Sequence, residues 1–130
     1  MTATLYDRLG GQVGLAELLR HFYADVRQHA LLGPIFDARI QNWPEHLLKI
    51  GEFWTLQTGG PSKYRGGFAA AHLPLGIGAE HFGHWLALWD INCQRRLAAP
   101  EAAEMSALAH QLAERLQRVL AGQSGLRLNP

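Results

Sequence analysis

Apolar residues recur along this chain with the period of a helix. Leu15, Leu18, Leu19, Phe22, Tyr23 and Val26 fall at i, i+3, i+4, i+7, i+8 and i+11, which is one helical face. Gly10 and Gly11 interrupt any helix begun at Leu5, so a short first helix and a sharp turn are expected before that face. A second long helix is predicted from Asn42. Asparagine caps it, Pro44 suits its first turn, and Glu45 stands at the capping-box position. Its buried face carries His46, Leu47, Ile50, Phe53 and Trp54, and Gly59-Gly60-Pro61 ends it. Phe82, Trp85, Leu86, Trp89 and Cys93 make the stripe of a third helix. Pro100 opens a fourth, with Met105, Leu108, Leu112, Leu116, Val119 and Leu120 on its apolar face. The tail from Gly122 to Pro130 is expected to fray. No window alternates as a strand does, so the fold class is all-α, with four main helices.

The middle is looser. Ser62 to Gly78 holds five glycines or prolines and reads as loop, with one short helical piece before His72. Compact domains rarely carry more than about 12 structureless residues unless the loop is functional or a ligand holds it.

Composition narrows the classes. A length of 130 residues fits one domain, 1–130, large enough to bury a core. The net charge is +1 and the Lys and Arg residues are scattered, which argues against nucleic acid as a partner. Cys93 is the one cysteine, so an internal disulfide is excluded and a reducing compartment is expected. The N-terminal residues hold no apolar signal core and no segment is long enough to cross a bilayer, so a soluble cytoplasmic domain is expected. Enzymes built on Ser, Cys or paired carboxylates find no support, nor do a phosphate loop or a metal-spaced Cys/His cluster. Four Trp, five Phe and three Tyr are a heavy aromatic load, which serves a core or encloses a flat aromatic ligand.

The histidines divide by context. His21, His29 and His110 fall among polar residues and read as solvated surface. His81 and His84, one turn apart, could pinch a metal, but nothing nearby completes a site. His72 sits in the apolar run Phe68-Ala69-Ala70-Ala71-His72-Leu73-Pro74-Leu75. Alone it reads as a core histidine bonded to a backbone carbonyl, although a haem iron needs the same imidazole on its proximal side. His46, Tyr23 and Trp85 each lie on an apolar face. Together they bring an imidazole, a hydroxyl and an indole N–H into one interior, and such donors would stabilise a diatomic ligand that gains negative charge on ferrous haem.

At this point the sequence resembles the truncated haemoglobins, most closely group III. The carrying segments, in order and in register from about Leu5 to Leu120, begin with Phe22-Tyr23, Leu31-Leu32-Gly33-Pro34-Ile35-Phe36 and Trp43-Pro44-Glu45-His46-Leu47. Gly51-Glu52-Phe53-Trp54, Tyr64 with Gly66, His72-Leu73, His81-Phe82 and Trp85-Leu86 complete them. Leu5 to Gly11 and Gly59-Gly60-Pro61 look more like group II. Phe68 stands where group III commonly has proline, and Ala71 where it commonly has a basic residue.

The resemblance implies a two-over-two helical globin enclosing b-type haem and its iron. It implies His72 as the proximal iron ligand and Phe36 packed on the porphyrin. Tyr23, His46 and Trp85 become the distal polar set, with Ile50, Phe53 and Trp54 lining the pocket and Lys49 and Tyr64 reaching the propionates. The expected function is binding of O₂ and other diatomic ligands, with a redox or detoxifying role on peroxide or nitric oxide that draws on an external electron donor. A non-catalytic sensor or store is the alternative, and the chain is expected as a monomer or weak dimer.

Overall fold

The computed structural model describes residues 3–64, 66 and 77–121, and the backbone of residues 122–128. His72, Phe68, Ala71 and the expected short helical piece before His72 lie outside the described residues. Among the described residues six helices follow one another: α1 (Leu5–Arg8), α2 (Gly11–Gln28), α3 (Leu32–Arg39), α4 (Trp43–Gln57), α5 (Ala79–Arg96) and α6 (Ala99–Leu128). No strand occurs among the described residues.

Local chemistry sets the boundaries. The Thr4 side chain accepts from the Asp7 amide while Asp7 reaches back to Thr4, so α1 starts in a capping box. Gly10 and Gly11 turn the chain with φ of 97° and 67°, a left-handed conformation that side chains resist. Asn42 Oδ1 accepts the Glu45 amide at 3.1 Å, and Pro44 occupies the first turn of α4, as its sequence predicts.

Two features differ from expectation. α3, Leu32–Arg39, was not among the helices predicted from the sequence. Pro34 falls in the first helical turn, where its missing N–H costs nothing, and His29 supplies the cap from before the helix. Its Nδ1 accepts the Leu31 and Leu32 amides at 3.1 and 3.2 Å. His29 is thus a capping residue rather than a solvated one. At the other end, helical backbone continues to Leu128, past the predicted fray at Gly122.

α2 packs on α4, and α5 packs on α6. These two pairs meet chiefly through α2 and α5, giving the two-over-two arrangement. The periodic face read from the sequence is the core: Leu15, Leu18, Leu19, Phe22, Tyr23 and Val26 are all buried, with Trp54, Trp89, Cys93 and Met105 against them. Burying each of these side chains contributes roughly 1.5–3 kcal/mol before the cost of chain entropy. One polar pair crosses this interior. Asn92 Nδ2 donates to Asp25 Oδ2 and to the Leu88 carbonyl, both at 2.9 Å. α1 is held from both sides, by Tyr6 N–H on the Thr58 carbonyl (2.9 Å) and by Arg8 forked onto the Glu104 carboxylate of α6.

Candidate functional site

α2, α3 and α4 on one side and α5 and α6 on the other enclose a cavity of about 450 Å³. That volume is in the range of small-molecule and cofactor sites. α4 contributes His46, Lys49, Ile50, Phe53 and Trp54 at the spacing of one helical face. Tyr23 enters from α2, Phe36 from α3, Trp85 from α5 and Tyr64 from the segment after α4. Every described residue assigned to the site from sequence therefore lines this one cavity.

The polar groups are held by their packing. Tyr23 is buried, with Phe22 edge-on at 4.8 Å, Phe36 at 6.2 Å and Trp43 at 6.0 Å between ring centroids. Burial pushes its phenol well above the ordinary tyrosine value, opposed in part by the polar N–H of the nearby Trp85 indole. His46 is half-buried and stands edge-on to Trp43, 5.6 Å between ring centroids. Trp43 is fixed in turn by its N–H on Asp37 (3.2 Å) and by the Arg27 guanidinium over its ring at 4.6 Å.

The rim carries the charge. Lys49 lies on it with 73% of its side chain exposed, 3.8 Å from Glu45, so it is both a solvated cation and a reachable one. Arg39, at the end of α3, lines the same cavity, and no carboxylate does so among the described residues. Tyr64 is half-buried, and burial raises its phenol above the ordinary value.

Two polar lining residues escaped the sequence reading. Arg39 follows from α3, which was not expected as a helix. His81, read as surface, lines the cavity and accepts the Gly78 amide on Nδ1 at 2.9 Å. Only its position beside Phe82 signalled an inward ring. His84 instead lies against His29, 4.8 Å between ring centroids. His21 pairs with Glu17 and His110 with Asp90, on the surface as expected.

Apolar walls, a small set of converging donors and two rim cations suit a flat apolar ligand with an anionic edge. This fits a haem macrocycle with two carboxylates.

Comparison with known proteins agrees with that chemistry. Residues 4–119 match the family model described as bacterial-like globin. A group 3 truncated haemoglobin of Campylobacter jejuni is 38% identical over 84 residues, covering 61% of this chain and 66% of that relative, a little under two thirds of its length. The crystal structure of a group III truncated haemoglobin from Campylobacter jejuni superposes with a TM-score of 0.80 and 31% identity, covering 85% of this chain and 91% of that one. A 2/2 haemoglobin of Synechococcus, in a cyanomet state with covalently attached haem, has the same fold at a TM-score of 0.80. It is 20% identical, over 89% of this chain and 99% of that one. A group II truncated haemoglobin of Bacillus anthracis shares the fold at 0.75 and 24% identity, over 89% of this chain and 92% of that one.

Proposed function

The chain belongs to the bacterial-like globin family, and from that premise we propose that it binds O₂ and other diatomic ligands at haem iron for redox or detoxifying chemistry rather than bulk transport. It is a haem-binding globin of the truncated type, similar to group III. Bound haem supplies an iron that holds the diatomic ligand and exchanges electrons. The residues of this chain decide how tightly that ligand is held.

One observation carries the reading. Tyr23, His46 and Trp85 converge on a single apolar cavity. The Tyr23 hydroxyl is both donor and acceptor, so its hydrogen can be given to a ligand. A diatomic ligand that gained partial negative charge would be held by such a donor, since a hydrogen bond to a charged group is worth roughly 1.5–3 kcal/mol. His46, from the adjacent turn of α4, adds a second donor. Slow release follows, which suits turnover of peroxide or nitric oxide better than delivery of O₂. Turnover then needs electrons from an outside reductant.

We assign His72 as the iron ligand, because its imidazole, in an apolar run of the sequence, is the group that haem iron requires. Phe36, Ile50, Phe53 and Trp54 form the apolar contact with the macrocycle. Lys49 and Tyr64, joined by Arg39, take the carboxylate edge. No helix among the described residues is long and apolar enough to cross a membrane. Cys93 is buried and its thiol is pushed up to about 12 by burial and by nearby Asp90, which makes it a poor nucleophile. A single cysteine allows no internal disulfide, which is compatible with a reducing cytoplasmic home.

The test is a UV-visible spectrum of the ferric, reduced and CO-bound protein, in wild type and His72→Ala. A Soret band that moves with CO and is altered or lost in the variant is expected. No Soret band after addition of hemin would exclude the reading.

A further inference from the structure

We infer that the stacked indoles of Trp85, Trp89 and Trp54 form an electron relay behind the wall of the haem cavity, from its interior towards its rim, with the hole resting on Trp89 while hydrogen peroxide is reduced. The inference rests on the haem reading above.

The geometry is that of a continuous π path. Trp85 lines the cavity and lies parallel to Trp89, with 6° between planes and 5.6 Å between centroids. Trp89 also stacks on Trp54 at 17° and 4.5 Å, so it is the ring common to both stacks. From Trp54 the path follows the cavity wall to its rim. Phe53 stands edge-on to Trp54 at 5.5 Å and to Tyr64 at 5.2 Å, and Tyr64 is half-buried at the rim. Indoles are among the most easily oxidised side chains, and rings at these separations exchange electrons readily.

Surroundings select Trp89 as the resting place. It is fully buried and does not line the cavity, so a radical there is kept from solvent and from bound ligand. Its N–H donates to the Met105 carbonyl at 3.1 Å. That points the negative end of a dipole at the indole in a dry interior, where such an interaction is strong. The alternatives are each opposed. Tyr23 gives up an electron easily only as its proton leaves, and burial resists that loss. Trp43, the fourth tryptophan, lies beneath the Arg27 guanidinium, which opposes positive charge on its ring.

The reaction balances with a one-electron donor of the phenol or ene-diol class, AH: H₂O₂ + 2 AH → 2 H₂O + 2 A•. The O–O bond breaks and each peroxide oxygen leaves as water, taking the two protons and two electrons that AH releases. Trp89 passes each electron inward as its radical cation forms, and the next electron from AH restores the indole. Its N–H bond stays intact throughout.

Freeze-quench electron paramagnetic resonance of the haem-loaded protein with hydrogen peroxide tests this. The expected radical signal narrows when tryptophan is ring-deuterated, persists in Trp43→Phe, and is lost in Trp89→Phe that keeps its Soret band. A signal that narrows only with ring-deuterated tyrosine overturns the relay. So does an undiminished signal in a haem-loaded Trp89→Phe. Should that variant not fold, labelled wild type and Trp43→Phe still decide, since a signal lost with Trp43 contradicts the stack. A wild type without a Soret band removes the haem reading and the relay with it.

Discussion

Replacing Tyr23 by Phe removes one oxygen atom from the cavity and leaves the ring in place. The effect on a bound ligand can be sized. The ligand loses a charge-assisted hydrogen bond of roughly 1.5–3 kcal/mol, so O₂ should dissociate about ten- to 150-fold faster. Stopped-flow mixing of the oxygenated protein with CO and dithionite reads that rate. A dissociation rate within about twofold of wild type, or about 0.4 kcal/mol, in a protein with a normal Soret band would refute the role given to the hydroxyl.

Other consequences are equally measurable. A Cβ on Gly33 would meet the Arg27 carbonyl oxygen at 2.4 Å, and this neighbour is backbone that cannot turn aside. Gly33→Ala should therefore cost roughly 1–3 kcal/mol net of any gain in helix propensity, and should weaken hemin uptake because α3 carries Phe36 and Arg39. An unchanged melting temperature would contradict this. The Arg8 fork holds the Glu104 carboxyl below its usual 4.5. A group whose folded value is depressed stabilises the protein fully above its unfolded value and loses that contribution as pH falls through the folded one. Arg8→Ala should therefore flatten the acid fall in melting temperature below pH 4.5, most clearly at low salt, and an identical acid slope would show that the pair is screened out.

The sequence disclosed the parts of this protein that repeat with a helical period. The faces of α2 and α4 were legible because one stripe of each is apolar and the rest polar, and Asn42 and Pro44 mark where α4 begins. α3 was not, since Gly33-Pro34 resembles a turn and its cap comes from His29, a side chain whose role depends on how the backbone bends. Arg39 was lost with it. The distal set was legible as buried polar residues, but Tyr23, His46 and Trp85 share no short motif. Their assignment as one site came from the ordered resemblance and not from spacing. Trp85 and Trp89 are four apart and visibly share a face. Trp54 joins them only through the packing of the two layers, which no local pattern encodes.

The Asp25–Asn92 pair works as an index mark between α2 and α5. Asp25 lies two residues beyond Tyr23, and Asn92 lies two turns beyond Trp85. Sliding either helix by one turn, about 5.4 Å, would strand an amide and a carboxylate against apolar neighbours, so the wrong alignments are penalised. Leucines between the helices can be exchanged by volume, because volume does not specify alignment. Substitutions that conserve volume elsewhere in this interior should therefore leave Tyr23 opposite the same face of α5.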